Sequence, residues 1–143
     1  MHQRIATDLS KIATLPDFSY RASEITDAWE ADGIAAEAVS PILRFMEQHP
    51  DIDYGSPGPL THFVERVRGP DYGQRLVESV ARTPTMITLW MLHRLINGTD
   101  TPKERRPLIA CLRQSRTKVR GNPALSQMVE DFLGHLASKC AGE

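Results

Sequence analysis

The residues best placed for chemistry in this sequence are a histidine and a glutamate three positions apart, His62 and Glu65. On a helix this spacing puts both side chains on one face, as in the carboxylate-bridged metal sites of helical proteins. Such sites need a second pair of the same kind and two further carboxylates from facing helices. The sequence contains no second pair. We therefore expect no metal centre and place both residues on the surface.

Candidate nucleophiles are no better supported. Ser56 lies in a Gly-Ser-Pro-Gly run, which departs from the Gly-x-Ser-x-Gly elbow of serine hydrolases and follows no predicted strand. The two cysteines, Cys111 and Cys140, are 29 positions apart and match no metal-ligand spacing, so we expect two reduced thiols. We expect Cys111 to be a small buried apolar residue. The sequence thus predicts no catalytic residue, no cofactor and no enzymatic activity.

A basic segment covers residues 103–120, with seven bases and a single acid. Three of its arginines recur at helical spacing: Arg113, Arg116 and Arg120. Nucleic-acid binding is one interpretation of such a segment. A net charge of −1, an aromatic content of 6% and an acidic N-terminal part that would repel phosphate all speak against it. We favour a solvated basic face and keep nucleic acid as the less favoured alternative.

Acidic and basic residues are unevenly distributed along the chain. Residues 1–54 hold ten acids and four bases, a formal charge of −6, and residues 55–143 hold eight acids and thirteen bases, a charge of +5. An asymmetry of this size indicates a partner surface more than it indicates a fold. The alternative is that the charges lie on solvated faces and form neighbouring ion pairs.

The spacing of apolar residues predicts seven or eight short amphipathic helices and no strand. Prolines and glycines mark the breaks between them. At Pro41 we expect either a kink or a restart with Ser40 as N-cap, and residues 49–59 form the longest predicted break. The predicted helices contain Ile5–Ile12, Ser23–Asp32, Ala35–Gln48, Pro59–Val67, Tyr72–Arg82, Pro84–Asn97, a segment that Thr101 caps and a segment that Asn122 caps.

The helix predicted from Pro84 is the most apolar. Thr83 is its expected N-cap, Pro84 its first residue, and Asn97-Gly98 its left-handed C-cap. Eight large apolar residues cover more than one stripe of this helix, so it needs neighbours on several sides. We expect it at the centre of a small all-helical domain.

Length and composition predict one globular domain over residues 1–143. The chain is long enough to bury a core, with 41% hydrophobic and 24% charged residues. No apolar stretch reaches the length that spans a bilayer, and the first eight residues lack the apolar core of a signal peptide. We therefore expect a cytoplasmic protein. Short links favour antiparallel helical hairpins in a HEAT-like stack, with an irregular bundle as the alternative.

Part of the chain, over about residues 51–112, resembles the small helical immunity proteins encoded beside bacterial polymorphic toxins, in contact-dependent inhibition, Rhs and type VI secretion systems. A glycine-proline loop and an apolar helix carry this resemblance. The matching residues are Asp53-Tyr54-Gly55-Ser56-Pro57-Gly58-Pro59-Leu60, His62-Phe63, Glu65, Arg82-Thr83-Pro84-Thr85, Trp90-Met91-Leu92, Arg94 and Asn97. The resemblance implies a non-enzymatic cytoplasmic protein that binds and blocks a cognate toxin in a 1:1 complex. It identifies neither the toxin nor the contacting residues.

The distribution of acids supplies a hypothesis about those contacts. Toxins of such systems often carry basic clefts that bind nucleic acids or nucleotides, and exposed carboxylates can neutralise such a cleft and steer association. A tyrosine beside carboxylates is typical of a binding hot spot. We predict that an acidic surface covers the toxin's active site, formed by one helix end and the loop at residues 51–56: Asp27, Glu30, Asp32, Asp51, Asp53 and Tyr54. The alternatives are a helical-repeat adaptor for another protein or peptide, a nucleic-acid-binding protein, or an enzyme without a recognisable motif.

Overall fold

The computed structural model of the chain describes residues 2–139. Within that range it contains eight α-helices, one 3-10 turn at Ala35–Glu37 and no strand, which confirms the all-α prediction. No helix of this range is long and apolar enough to cross a membrane. The helices are α1 (His2–Ile12), α2 (Phe18–Ala31), α3 (Val39–Gln48), α4 (Pro59–Val67), α5 (Tyr72–Arg82), α6 (Met86–Asn97), α7 (Pro102–Lys118) and α8 (Pro123–Lys139).

The backbone contacts divide the chain into two compact units, and a single domain over residues 1–143 stays a prediction. The first unit ends at Tyr72 and the second begins at Gly73. In the first unit, α1 packs against α2 and α3, and α4 packs against α2 and α3. In the second unit, α6, α7 and α8 pack against one another. The choice between a HEAT-like stack and an irregular bundle stays a prediction.

Trp29 is the largest fully buried side chain of the first unit. Its ring lies edge-on to that of Phe63, with the centroids 5.9 Å apart. Its indole Nε1 donates a hydrogen bond of 2.9 Å to Oδ2 of Asp8, so α2 is joined to α4 by ring packing and to α1 by a polar contact. A buried tryptophan needs such an acceptor because a lone indole N–H in an apolar core is costly.

Helix α2 begins five residues earlier than predicted, at Phe18 instead of Ser23. The preceding helix, predicted over Ile5–Ile12, does end at Ile12. The extra turn forms because Phe18 is buried against the rings of Phe45 and Tyr54, which gives the first turn an apolar anchor.

The segment predicted as one helix over Ala35–Gln48 is divided, but at Ala38 and not at Pro41. A 3-10 turn at Ala35–Glu37 precedes α3, and the N-cap is Ala38 and not Ser40. Pro41 is the third residue of α3, where its missing N–H costs nothing because the first N–H groups of a helix have no partner within the helix.

The most apolar helix ends at Asn97 with Gly98 as its C-cap, as predicted, but its predicted start and the left-handed conformation of its cap were wrong. Helix α6 begins at Met86, and its N-cap is Thr85, which forms a capping box with Thr88. The two hydroxyl oxygens are 2.9 Å apart and both residues are buried. This pair of threonines binds the free backbone N–H groups at the helix start, a role that we had assigned to Thr83. Gly98 at the C-cap has φ of −90°, so no left-handed residue ends the helix. Met86 is 53% exposed, so the apolar surface of the helix is not buried on every side.

The two later helix starts were predicted correctly. The hydroxyl of Thr101 accepts from the backbone N of Glu104 at the start of α7, with Pro102 in the first turn. The side chain of Asn122 accepts from the backbone N of Leu125 at the start of α8. Cys111 on α7 is a buried free thiol, as predicted, and burial raises its pKa. Cys140 lies outside the described residues.

The hydrogen bond between Asp8 and Trp29 gives a first prediction about stability. Asp8→Ala leaves the buried indole N–H without its acceptor, and we expect the free energy of unfolding to fall by about 1–3 kcal/mol in urea denaturation. The same substitution should cost less in a Trp29→Phe background, which has no indole N–H. An equal cost in both backgrounds would show that this bond does not stabilise the fold.

A second prediction concerns Gly134, in the interior of α8. A Cβ built there meets nothing within 4 Å. Gly134→Ala should therefore raise the free energy of unfolding by about 0.5–1 kcal/mol, because alanine restricts the unfolded chain without straining the helix. Gly58→Ala is the contrasting variant. There φ is +89° and a Cβ would overlap the backbone carbonyl of Tyr54, so we expect a loss of stability. Denaturation midpoints in the same buffer measure both.

Candidate partner-binding surface

The charge asymmetry of the sequence follows the division into units. The first unit, residues 1–72, holds twelve acids and six bases, a formal charge of −6. The second, residues 73–143, holds six acids and eleven bases, a charge of +5. Each unit therefore has its own electrostatic character, and the candidate acidic residues all belong to the first.

Three of the predicted site residues, Asp27, Glu30 and Asp32, lie at the C-terminal end of α2 and form what we call the helix-end cluster. All three are exposed. The last turn of α2 has no basic residue, so the three carboxylates add to the negative end of the helix dipole. A helix end of this composition concentrates negative potential at one place on the surface.

Two carboxylates of the helix-end cluster are paired within the unit. Glu30 accepts a hydrogen bond from Nη2 of Arg66 on α4. Asp32 Oδ2 is 2.6 Å from Nη2 of Arg4 on α1. Both pairs are largely exposed to solvent, and pairs of this kind contribute little to stability. A cationic partner could exchange with these arginines at small cost.

Asp51 and Asp53 are exposed on the loop between α3 and α4. Asp53 accepts a hydrogen bond of 3.0 Å from the backbone N of Gly55 through Oδ1, which fixes its side chain against the loop. Asp53 lines one groove with Asp17, the residue before α2. We call Asp17, Asp51 and Asp53 the loop cluster.

The structure does not join the two acidic clusters. The loop lies beside the first residues of α2, since Tyr54 contacts Phe18, whereas the helix-end cluster lies at the last residues of α2. At 1.5 Å per residue, the two positions are roughly 18 Å apart along the helix axis. The single continuous surface that we predicted is therefore two clusters at opposite ends of one helix.

Tyr54 was predicted to project towards a partner, and this was wrong. It is 3% exposed, and its hydroxyl donates a hydrogen bond of 2.7 Å to the backbone carbonyl of His49. Its ring lies edge-on to Phe18 at 5.7 Å and to Phe45 at 6.4 Å. A loop rich in glycine and proline offers few apolar side chains, so its tyrosine anchors it to the core.

The exposed tyrosine of the first unit is Tyr20, which the sequence analysis missed. Tyr20 is 64% exposed, and Leu15 nearby is 38% exposed. A signal for this existed in the sequence. Phe18 and Ala22 are four positions apart and share the buried face of α2, so a residue halfway between them faces away from it. That pattern was hidden because we placed the start of the helix after Tyr20.

The other chemical candidates remain separate in the structure. His62 is exposed and Glu65 is partly buried on α4. No three His, Cys, Asp or Glu residues within positions 2–139 are placed to hold a metal ion together. Ser56 is exposed on the loop after Tyr54.

Several bases of the basic segment are engaged within the second unit. Arg116 forms two hydrogen bonds of 2.9 Å with Glu130 on α8, and this partner raises the arginine's pKa. Arg105 donates to the backbone carbonyl of Thr99, and Lys118 to that of Arg82. Four others are exposed: Lys103, Arg106, Arg113 and Arg120. The predicted arginine face is therefore partly used in packing α7 against its neighbours.

Comparison with known proteins identifies no relative: no family model, no curated protein and no solved structure matches this chain. No family is therefore assigned to it. The resemblance to immunity proteins therefore depends only on the glycine-proline loop and the apolar helix of this chain.

A prediction about pH follows from the burial of Tyr54. Burial raises the pKa of its hydroxyl above the ordinary value of about 10, so the folded state holds this proton more tightly than the unfolded state. The resulting stability is complete below about pH 10 and is lost as the pH rises above it. At pH 7, Tyr54→Phe should cost about 1 kcal/mol because it removes the bond to His49.

The same variant should be affected less than the parent chain by alkaline pH. We expect the difference in free energy of unfolding between Tyr54→Phe and the parent chain to shrink, or to reverse, between pH 9 and pH 11. Urea denaturation curves recorded at intervals of about one pH unit measure this difference. Tyr20→Phe, at the exposed position, is the control. The difference in free energy of unfolding between this variant and the parent chain should stay the same across the pH range. A constant difference for Tyr54→Phe would contradict the raised pKa.

Proposed function

We propose that this chain is a non-enzymatic immunity protein, which binds and neutralises a bacterial toxin through the acidic surface of its first unit. The toxin would present a basic active-site cleft or substrate entrance, and the carboxylates would occupy it. The observation that carries this proposal is the −6 charge of the first unit, with exposed carboxylates at both ends of α2. The resemblance around the glycine-proline loop supports the same function.

The helix-end cluster is well suited to electrostatic recognition. Carboxylates at a helix C-terminus are repelled by the negative end of the helix dipole, which destabilises the protein when no partner is bound. A cationic partner would remove this repulsion. Glu30 and Asp32 already bind arginine side chains from their own unit. These pairs show that guanidinium groups fit this position, and a toxin's basic residues would use the same chemistry.

A peptide-binding adaptor is the second candidate. It is favoured by a groove of about 380 Å³ in the second unit, between α7 and α8. Ile109 and Leu133 give this groove an apolar wall, and Arg113 lies at its edge. An adaptor would bind a peptide there, and charge reversal in the first unit would leave that binding unchanged.

The proposed function is tested by binding to the proteins encoded in the reading frames that flank this chain's gene. Asp27→Lys, Asp51→Lys and Asp53→Lys should each weaken the complex about tenfold or more in calorimetry, with a larger effect at low salt. The same variants should lose the ability to protect a host cell that expresses the partner.

Asp100→Lys is the matched control, because Asp100 is an exposed aspartate of the second unit. It makes the same change in net charge and should leave affinity and protection intact. The proposal fails if neither flanking product binds the chain. It also fails if a complex forms whose affinity the three first-unit reversals do not change.

A further inference from the structure

An open groove runs between the α1–α2 connection and the loop that carries Asp53. Its volume is about 390 Å³, and its lining includes Leu15, Pro16, Asp17, Phe18, Tyr20 and Ile52. All of these residues belong to the first unit. The volume is at the lower end of the range for ligand pockets, which is about 300–1,000 Å³.

The apolar side chains of this groove are unusually exposed. Only three large hydrophobic residues in the described part of the chain are classed as exposed, namely Leu15, Tyr20 and Met86. Two of the three, Leu15 and Tyr20, line this groove. Exposed apolar groups that share a concave site indicate an interaction surface, whereas scattered single ones do not.

The charged residues that line the groove are both carboxylates, Asp17 and Asp53. Asp17 uses Oδ2 for Arg21, and Asp53 uses Oδ1 for the backbone N of Gly55. These bonds fix both side chains and involve one oxygen of each. A ligand for this groove must therefore combine positive charge with apolar surface.

Arg21 shows which cation the geometry suits. Its Nε is 3.1 Å from Asp17 Oδ2, while its guanidinium carbon is 5.8 Å from the centroid of the Tyr20 ring. One guanidinium thus reaches a carboxylate and an aromatic face at the same time. An arginine does this better than a lysine, because its planar group donates in a fork and stacks flat on rings, whereas an ammonium group is a compact and strongly hydrated point charge.

We propose that this groove anchors a partner protein through an arginine followed by an aliphatic residue on an exposed loop of that partner. The arginine binds Asp53 and Asp17 and stacks on Tyr20, and the aliphatic side chain packs on Leu15 and Ile52. This inference rests on the proposed function and names its anchor point. A free small molecule suits the site less well, because the open walls would leave too much of it in solvent.

The first test uses two short peptides that differ at one residue. One peptide carries a central Arg-Leu pair and the other a central Glu-Leu pair, each in a Gly-Ser background. The ¹⁵N chemical shifts of the full chain report the binding of each peptide. The Arg-Leu peptide should shift the amides of Leu15, Tyr20 and Ile52, and the Glu-Leu peptide should not. Tyr20→Ala, and Asp17→Asn combined with Asp53→Asn, should each weaken that binding about tenfold or more.

Matched variants separate this site from general electrostatics. Asp27→Asn removes a carboxylate outside the groove, and Met86→Ala removes the exposed hydrophobic of the second unit. Both should keep peptide binding within about twofold. Equal weakening by Asp27→Asn and by Asp53→Asn would overturn the inference in favour of diffuse charge attraction. Circular dichroism and the melting temperature establish that each variant is folded.

The second test uses the complex with a flanking gene product. If Tyr20→Ala leaves its affinity unchanged while Asp27→Lys weakens it, the anchor is overturned and the proposed function stands. If no flanking product binds but the Arg-Leu peptide still shifts the groove, the proposed function fails and the arginine site stands. A concentration-dependent dimer in sedimentation that Tyr20→Ala abolishes would overturn the inference, because the occupant would then be a second copy of this chain.

Discussion

The surface that we assign to a partner depends on how one loop is attached to the core. Tyr54 packs its ring edge-on to the stacked rings of Phe18 and Phe45, and its hydroxyl donates a hydrogen bond to the carbonyl of His49. Gly58 approaches the backbone of Tyr54 so closely that no other residue would fit. These contacts bring Asp53 and Ile52 beside the start of α2, where a groove results. Without this attachment, the carboxylates of a loop rich in glycine and proline would have no defined position.

The charges at the C-terminal end of α2 do not stabilise the helix. The end of α2 carries three carboxylates where a helix would be better stabilised by a cation. Arginines from α1 and α4 offset part of that cost through exposed pairs, which solvent and salt weaken. Local arrangements that break a stabilising rule are often found where a protein contacts its partner. In the core, by contrast, the buried indole of Trp29 and the buried hydroxyls of Thr85 and Thr88 have hydrogen-bond partners.

Local chemistry explains which parts of the fold were predictable. The starts of α7 and α8 were found because Thr101 and Asn122 each cap a helix within three residues, so nothing distant is needed to read them. The start of α2 depends on aromatic contacts from Phe45 and Tyr54, which are far away in sequence. The N-cap of α6 was misplaced because three consecutive residues, Thr83, Pro84 and Thr85, all suit a helix start. Only the partner hydroxyl of Thr88 selects Thr85.

Local sequence likewise made part of the candidate site predictable, and tertiary contacts decided the rest. That acidic residues are concentrated in the first part of the chain is visible from composition alone, and the helix-end cluster follows from simple spacing. The separation of the two clusters is not visible, because it depends on which end of α2 the loop contacts. Tyr54 was expected to contact a partner and is buried, whereas Tyr20 is exposed, for the same reason: burial of a tyrosine is decided by tertiary contacts, not by its neighbours in the sequence.

The division of charge between the two units also affects how the protein behaves at high concentration. A net charge of −1 gives molecules almost no mutual repulsion at neutral pH, although each carries a strongly negative unit and a strongly positive one. Oppositely charged units of different molecules attract at low ionic strength, so the purified protein should precipitate in dilute buffer and redissolve on addition of salt. The solubility of this protein therefore depends on the separate charges of its two units more than on its near-neutral net charge.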